Sequence, residues 1–285
     1  MSYSLETFFD KDTFTLTYIV YDENSKDAVI IDPVLNYDPA ASKVSDTSIR
    51  EVLDFISSKN LLVHYILETH AHADHLTGAA ELKKRLDGVK VGIGKNITKV
   101  QEIFGDFFNI KDLNTNGIQF DTLLDEETVL KAGVIEIKTI FTPGHTPACS
   151  SYLIGDMLFT GDALFMPDYG TGRCDFPGGS AKELYHSIHE KIYKLPDNIR
   201  FFTGHDYQPN GRALRYESTI EESKESNIQL KQSTTEEEFI EFRESRDAKL
   251  SAPRLLLQSV QVNIDAGTLP KEDDNGARYL RIPIR

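Results

Sequence analysis

The stretch ETHAHADHLTGA, residues 68–79, constrains this chain more than any other part of its sequence. It places three of the eight histidines and an aspartate within six residues, directly after a short apolar run. His70 and His72 alternate, so both side chains face one side of an extended backbone. Asp74 and His75 follow a bend and can face a second point. By residue frequencies, H-x-H-x-D-H arises by chance in roughly one chain in a few thousand, and the sequence therefore predicts a metal site here.

Three further residues that can bind a metal occur in matching contexts. His145 lies in TPGHT, Asp162 in FTGDALF and His205 in TGHDY, each just after an apolar run and beside a glycine. Glycine allows the tight turn and the close backbone approach that such a site needs. Imidazole and carboxylate ligands suit zinc or non-haem iron. The seven residues are compatible with two metals that share Asp162, and equally with one metal that keeps open positions.

Length and composition are those of an ordinary globular protein, with 285 residues, 40% hydrophobic and 27% charged. A net charge of −14 argues against nucleic acid or an anionic membrane as the main partner. Two cysteines, Cys149 and Cys174, make no disulfide framework and favour a reducing compartment. The N-terminal residues lack the apolar region of a signal peptide, and no apolar run reaches transmembrane length. We therefore expect a cytoplasmic location.

Hydrophobic patterns predict two strand-rich halves with outer helices. A hairpin is expected from TFTLTYIVYD and KDAVIIDPV, and the run LVHYILETH is expected to be a buried strand. A helix is predicted over 48–60, where Ser48 and Glu51 have the spacing of a capping box. Segment 95–127 has no clear pattern, and its aromatic residues are expected to form a covering loop. Further helices are predicted over 181–194 and, in two acidic stretches, around 218–227 and 235–250.

The order of the predicted ligands resembles that of the metallo-β-lactamase superfamily over residues 15–207. The resemblance implies a mixed α/β fold, a four-layer αββα sandwich, with the metal site at one edge between the two sheets. We expect residues 1–285 to form a single domain with an acidic C-terminal extension from about residue 218. A homodimer is compatible with the resemblance.

A finer resemblance is to the persulfide dioxygenase branch of that superfamily. It rests on THAHADHLTGA, GHTPACSSYLIGDMLFTGDALF, GTGRCDF, SAKELYHSIHEKIYKLPDN and GHDY. In glyoxalase II, the neighbouring thioesterase branch, the residue before the motif aspartate is usually a bulky aromatic, whereas here it is Ala73. The resemblance implies one iron(II) held by His70, His145 and Asp162, which leaves three coordination positions for water, sulfur and O₂. The residues that would orient these ligands and the waters are His72, Asp74, His75 and His205.

The reaction implied by this resemblance oxidises glutathione persulfide with O₂ and water to sulfite and glutathione. Arg173 is expected to contact a substrate carboxylate, or else to form an internal salt bridge with Asp175 or Asp168. Tyr207 is expected to place its hydroxyl near the substrate sulfur, or else to have only a packing role.

Two other functions stay open on sequence alone. In a dinuclear hydrolase of glutathione thioesters, with zinc as a candidate metal, a bridging hydroxide would be the nucleophile. One metal would then bind His70, His72 and His145, the other Asp74, His75 and His205, and Asp162 would bridge them. A non-enzymatic sulfur-binding protein is the remaining alternative. Structural roles are expected for His64, His186, His189 and Cys149, whereas Cys174, in a polar loop, is expected to be the more redox-sensitive thiol.

Overall fold

The computed structural model describes residues 3–284. Its strands are β1 (Ser4–Asp10), β2 (Thr15–Tyr21), β3 (Asp27–Ile31), β4 (Val34–Asp38), β5 (Lys43–Ser45), β6 (Leu62–Glu68), β7 (Leu76–Thr77), β8 (Lys90–Gly94), β9 (Thr122–Leu124), β10 (Val129–Ala132), β11 (Ile135–Phe141), β12 (Ser150–Ile154), β13 (Met157–Gly161), β14 (Arg200–Thr203) and β15 (Glu217–Thr219). Its helices are α1 (Thr47–Lys59), α2 (Ala79–Arg85), α3 (Ile97–Phe108), α4 (Ala181–His186), α5 (Ile220–Ser226), α6 (Glu236–Asp247) and α7 (Leu256–Asn263). Helix α4 continues through a π-helical turn, Ser187–Lys191, and a 3₁₀ turn, Ile192–Lys194, which together span the predicted helix.

Two six-stranded sheets form the centre of the fold. Their strand orders are β1-β2-β3-β6-β8-β9 and β10-β11-β12-β13-β14-β15. Strands β2 and β3 form the predicted antiparallel hairpin, whereas β3, β6 and β8 run parallel. In the second sheet β13 and β14 are also parallel. The carboxyl ends of parallel neighbours emerge at the same edge of a sheet, and this brings the loops that follow them together.

The faces of the two sheets that meet are apolar and buried. Tyr18 of the first sheet packs against Phe159 and Phe202 of the second, with ring centroids 5.1 and 5.8 Å apart. Its hydroxyl donates to the carbonyl oxygen of Thr203 at 2.6 Å, so the polar end of the ring is satisfied. This layer locks the two sheets together directly beneath the loops that carry the predicted ligands.

Helices cover the outer face of each sheet. Helices α1, α2, α3 and α7 pack on the first sheet, through side chains such as Ile49 and Val260. Helices α4, α5 and α6 pack on the second, through Leu184, Ile220 and Phe239. The order of layers is helices, sheet, sheet, helices, and the predicted four-layer αββα sandwich is therefore confirmed.

Segment 95–127 is not a covering loop, and that prediction is wrong. It contains helix α3, whose Ile97, Val100, Phe104 and Phe108 are fully or almost fully buried. Their spacing puts them on one helical face, and that face completes the outer core of the first sheet.

The predicted capping box of α1 is also absent from the structure. The helix begins at Thr47, and its N-cap residue, Asp46, makes no side-chain capping hydrogen bond. Instead the Ser48 amide donates to the side-chain oxygen of Asn36, a residue of β4, at 2.8 Å. A tertiary hydrogen bond therefore satisfies a backbone amide at the start of the helix, in place of the predicted capping box.

The segment after residue 217 packs on both outer layers. Strand β15 extends the second sheet, α5 and α6 lie where the acidic helices were predicted, and α7 packs on the first sheet. None of the helices described between residues 3 and 284 has both the length and the apolar character needed to cross a membrane.

Candidate metal centre

All seven predicted ligands meet at one edge of the two sheets. The histidine-rich loop follows β6, His145 lies between β11 and β12, Asp162 follows β13, and His205 follows β14. Six of the seven side chains are buried, and Asp74 is partly exposed. They fall into two sets, and within each set the candidate ligand atoms lie within 4.8 Å of one another.

The first set consists of His70, His145 and Asp162. His145 Nε2 lies 3.7 Å from Asp162 Oδ2. The other ring nitrogen, His145 Nδ1, donates to the carbonyl oxygen of Arg173 at 2.6 Å. His70 Nδ1 lies 3.0 Å from the hydroxyl oxygen of Thr69. Because both Nδ1 atoms have protein partners, each Nε2 is directed to the centre, as in metal-bound histidines.

The second set consists of His72, Asp74, His75 and His205. His205 Nε2 lies 3.1 Å from Asp74 Oδ2 and 3.4 Å from Asp162 Oδ1. Asp162 thus directs one oxygen to each set, the position that a bridging carboxylate would need.

Polar atoms without partners show that the site fits a metal. Within residues 3–284, His70 Nε2, His75 Nε2 and Asp162 Oδ1 are buried and make no hydrogen bond. Buried polar groups are otherwise almost always paired, because an unmet donor or acceptor costs free energy. A cation at each set would satisfy these atoms, and the imidazole and carboxylate donors suit iron or zinc.

A buried carboxyl pair lies behind His72. His72 Nε2 is 3.1 Å from Asp32 Oδ1 and 3.6 Å from Glu68 Oε2. Burial raises the pKa of Asp32 to about 6, although the amide and hydroxyl of Thr69 both donate to this carboxyl group. Burial also raises the pKa of Glu68 well above its usual value, and Asp32 adds to this effect. Both carboxyl groups therefore accept a proton more readily than exposed carboxylates do, and they lie beside the His72 ring without a hydrogen bond to its Nε2.

The electrostatics of the two sets differ. Burial, with His72 as a further cause, holds the pKa of His70 well below its usual value, so this ring is neutral as a metal ligand must be. Burial also opposes charge on His205, but the carboxylates of Asp74 and Asp162 outweigh it and raise the pKa of that ring. In the metal-free protein His205 is thus stabilised as a cation between two carboxylates.

Helix α6 clamps the loop beside the first set. Arg243 is almost completely buried and donates to the carbonyl oxygens of Thr171 at 3.2 Å and Gly172 at 3.3 Å. It also pairs with Asp247 at 2.7 Å, and Asp247 accepts the amide hydrogen of Cys174 at 2.7 Å. The ion pair therefore fixes both ends of residues 171–174.

The clamped loop orients a predicted ligand. The carbonyl oxygen of Arg173, in the middle of the loop, is the acceptor for His145 Nδ1. Gly172 packs so closely that an added Cβ would lie 2.1 Å from the carbonyl oxygen of Asp162. Since the contact is with backbone, this position requires glycine.

Asn263 at the end of α7 holds the histidine-rich loop. Its side-chain amide donates to the carbonyl oxygens of His72 and His75, both at 2.8 Å, and its oxygen accepts the Thr77 amide at 2.9 Å. Neither Asn263 nor Arg243 carries a local sequence signal for this role, because each acts on a loop that is distant in the sequence.

Arg173 forms the internal salt bridge that was the alternative for it. Its Nε and Nη2 donate to the two oxygens of Asp175, each at 2.6 Å, and its Nη1 donates to the Ser251 carbonyl oxygen at 2.7 Å. The donors of its guanidinium group are therefore already paired with acceptors within the protein. Tyr207 stacks on the His205 ring, with centroids 5.5 Å apart, and lines the cavity above the site.

Cys174 is buried, and it therefore lacks the access that the redox sensitivity expected of it requires. Burial raises the pKa of its thiol, and it raises that of the Cys149 thiol to about 12, so both stay protonated near neutral pH. The remaining histidines lie outside both sets: His64 pairs with a carboxylate, as does His186, and His189 stacks on a tyrosine ring.

A cavity of about 500 Å³ opens over the two sets. Its wall includes Ala73, Asp74, His145 and Asp162, together with the aromatic side chains of Phe14, Phe165, Tyr169 and Tyr207. This size and this mixture of apolar wall and polar floor are typical of a small-molecule site. The small side chain of Ala73 leaves space directly beside Asp74.

Comparison with known proteins places the chain among metal-dependent enzymes. The sequence profile of the Metallo-beta-lactamase superfamily matches residues 11–205. The chain is 44% identical to a "Probable metallo-hydrolase" of Burkholderia pseudomallei, over 99% of each protein. It is also 44% identical, over 97% of its own length, to a "Beta-lactamase hydrolase-like protein" of Xylella fastidiosa, but it spans 64% of that relative.

Dioxygenases are also among its relatives. The chain is 34% identical to "Persulfide dioxygenase ETHE1, mitochondrial" of Mus musculus, over 92% of this chain and 88% of that protein. It superposes on the crystal structure of ETHE1 from Myxococcus xanthus with a TM-score of 0.75 and 29% identity, over 94% of this chain and 100% of that one. The chain therefore belongs to the metallo-beta-lactamase superfamily, and persulfide dioxygenases are among its homologues.

Proposed function

We propose that this protein is an iron(II)-dependent persulfide dioxygenase. One glutathione persulfide, one O₂ and one water would give one glutathione, one sulfite and two protons, which balances atoms and charge. The observation that carries this proposal is the compact set of His70, His145 and Asp162, in which both Nε2 atoms are directed inward. Two histidines and one carboxylate are the ligand set of many iron(II) oxygenases. Homology to persulfide dioxygenases supports the same activity.

The surrounding residues fit this role. Iron bound by the first set would supply the redox chemistry that couples O₂ to the terminal sulfur of the persulfide. Tyr207 and the neighbouring aromatic wall would exclude bulk water from the reacting sulfur. His205, held between Asp74 and Asp162, would keep a proton beside the developing sulfite. Ala73 leaves room for the substrate where a bulky side chain would narrow the cavity.

A dinuclear hydrolase of glutathione thioesters is the second candidate. It is favoured by the complete second set and by Asp162, which directs one oxygen to each set. Relatives whose names describe hydrolases point in the same direction. With two metals, His72 would join the first set as a ligand, and the remaining ligands would be Asp74, His75 and His205.

Oxygen uptake separates these two candidates. Freshly prepared glutathione persulfide is added to the iron-loaded protein, and O₂ consumption and sulfite are followed together. We expect one sulfite for each O₂ consumed, and only background thiol release from a glutathione thioester under anaerobic conditions. Rapid anaerobic thioester hydrolysis without persulfide-dependent O₂ uptake would instead establish the hydrolase.

Asp74 provides a test of metal number. Asp74→Ala is expected to keep one bound iron while O₂ uptake falls by about 10- to 100-fold, the loss typical of partners behind a metal centre. In a dinuclear hydrolase the same change would remove one of two metals. Metal analysis and turnover are measured on the same sample, with Asp54→Ala, an exposed carboxylate of α1, as the control. Loss of a metal from Asp74→Ala would contradict a single-iron centre.

A further inference from the structure

Both arginines and aspartates line the cavity over the metal centre, in a chain whose net charge is −14. Four arginines line it: Arg173, Arg243, Arg246 and Arg254. The first two are committed to neighbouring aspartates. The last two belong to the segment after residue 217, and the reaction proposed above gives them no role.

Arg246 and Arg254 have unused hydrogen-bonding capacity. Across residues 3–284, neither side chain forms an ion pair. Arg246 is half-buried, and its guanidinium hydrogen-bonds the side chain of Tyr169 in the cavity wall, whereas its Nε is buried and makes no hydrogen bond. Arg254 is exposed at the cavity mouth. A buried cationic donor without an acceptor is costly, and an anionic ligand would remove that cost.

We propose that Arg246 and Arg254 form a carboxylate-binding subsite that selects anionic thiol substrates. This proposal deepens the proposed function and rests on it for the identity of the reacting sulfur. Glutathione and its persulfide carry two carboxylates and one ammonium group. The two guanidinium groups match the carboxylates, and the exposed carboxylate of Asp12, which also lines the cavity, matches the ammonium.

The placement of this subsite orients the substrate. The arginines share one cavity with His145 and Asp162, and the side chains of Leu250 and Pro253 also contribute to its wall. A ligand held at its carboxylates by the arginines can therefore lay its methylene groups on the apolar wall and direct its sulfur to the metal set. Arg173, whose fork is occupied by Asp175, is not required for this binding.

Binding of a non-reacting analogue tests the subsite without turnover. Calorimetry on the iron-loaded protein compares S-methylglutathione with its diethyl ester, in which both carboxylates are neutralised. We expect the native protein to prefer the acid by at least about 10-fold. Arg246→Gln and Arg254→Gln should each weaken binding of the acid by about 10- to 100-fold and leave binding of the ester unchanged. Arg246→Lys, which keeps the charge, should recover part of the preference.

Controls separate this effect from misfolding. Arg50→Gln, an exposed arginine of α1, should bind both ligands like the native protein. Thermal unfolding shows whether Arg246→Gln is folded. If it is not, the binding of acid and ester to Arg254→Gln, a change at an exposed position, tests the subsite. Equal affinity of the native protein for acid and ester, or equal weakening of both ligands by the variants, would overturn the subsite.

Calorimetry and the O₂-uptake assay together distinguish the two proposals. Preference for the acid without O₂ consumption in the presence of persulfide would support the subsite and contradict the dioxygenase proposal. Oxidation of glutathione persulfide and of its diethyl ester with the same KM would support the dioxygenase proposal and contradict the subsite.

Discussion

Replacing Asp162 with alanine is expected to release the iron and to lower persulfide-dependent O₂ uptake by more than about 100-fold. Loss of a residue that only orients a metal ligand typically costs about 10- to 100-fold. Asp162 is the only carboxylate in the first set, and its loss would leave two histidines to hold the metal. Without metal, burial raises the pKa of this carboxyl group, so its charge is unfavourable in the apoprotein. Because Asp162 is also one of the two carboxylates beside His205, the two effects oppose each other, and the stability of the apoprotein should change little.

Metal content, O₂ uptake and the midpoint of thermal unfolding are measured together for Asp162→Ala. Asp156→Ala, a largely exposed carboxylate of the same sheet, is the matched control and should retain full iron and activity. Stoichiometric iron in Asp162→Ala would show that Asp162 is not a ligand.

Replacing Arg243 with methionine is expected to lower the free energy of unfolding by about 3–5 kcal/mol. The change leaves the buried carboxylate of Asp247 without its partner and the Thr171 and Gly172 carbonyl oxygens without their donor. Urea unfolding measures the loss. The exposed pair formed by Arg278 is the control, and Arg278→Met should cost less than about 1 kcal/mol.

A double variant separates the stability of α6 from its action on the metal. Arg243→Met combined with Asp247→Leu removes both charges and should recover most of the lost stability, because an apolar pair of similar volume can replace a buried ion pair. The loop would still lack its anchors, so the affinity for iron should remain about 10- to 100-fold lower. Native iron affinity in the double variant, measured by competition with a chelator, would show that the clamp does not orient His145.

The ligand positions could be predicted from the sequence because each ligand lies in a loop that follows a strand. His145, Asp162 and His205 are each preceded by glycine, and strand pairing then brings the loops together. The residues that hold these ligands gave no local signal. Asn263 and Arg243 act across about 190 and 72 positions of sequence, respectively, and such contacts are visible only once the layers are packed.

The error over residues 95–127 has a physical cause. The apolar face of α3, Ile97, Val100, Phe104 and Phe108, has helical spacing, but Gly105 and a run of aromatic residues obscured it. For Arg173 the sequence left two partners open, a substrate carboxylate and an internal salt bridge with Asp175 or Asp168. The structure contains the salt bridge with Asp175, two residues further on in the same loop.

A single iron per chain is the central claim, and metal analysis tests it directly. The protein is purified without added metal, and iron and zinc are quantified per chain in the same sample that is assayed for O₂ uptake with glutathione persulfide. We predict one iron, little zinc, and O₂ uptake that rises in proportion to the iron content. Two metals per chain, with zinc predominant and no persulfide-dependent O₂ uptake, would contradict the account.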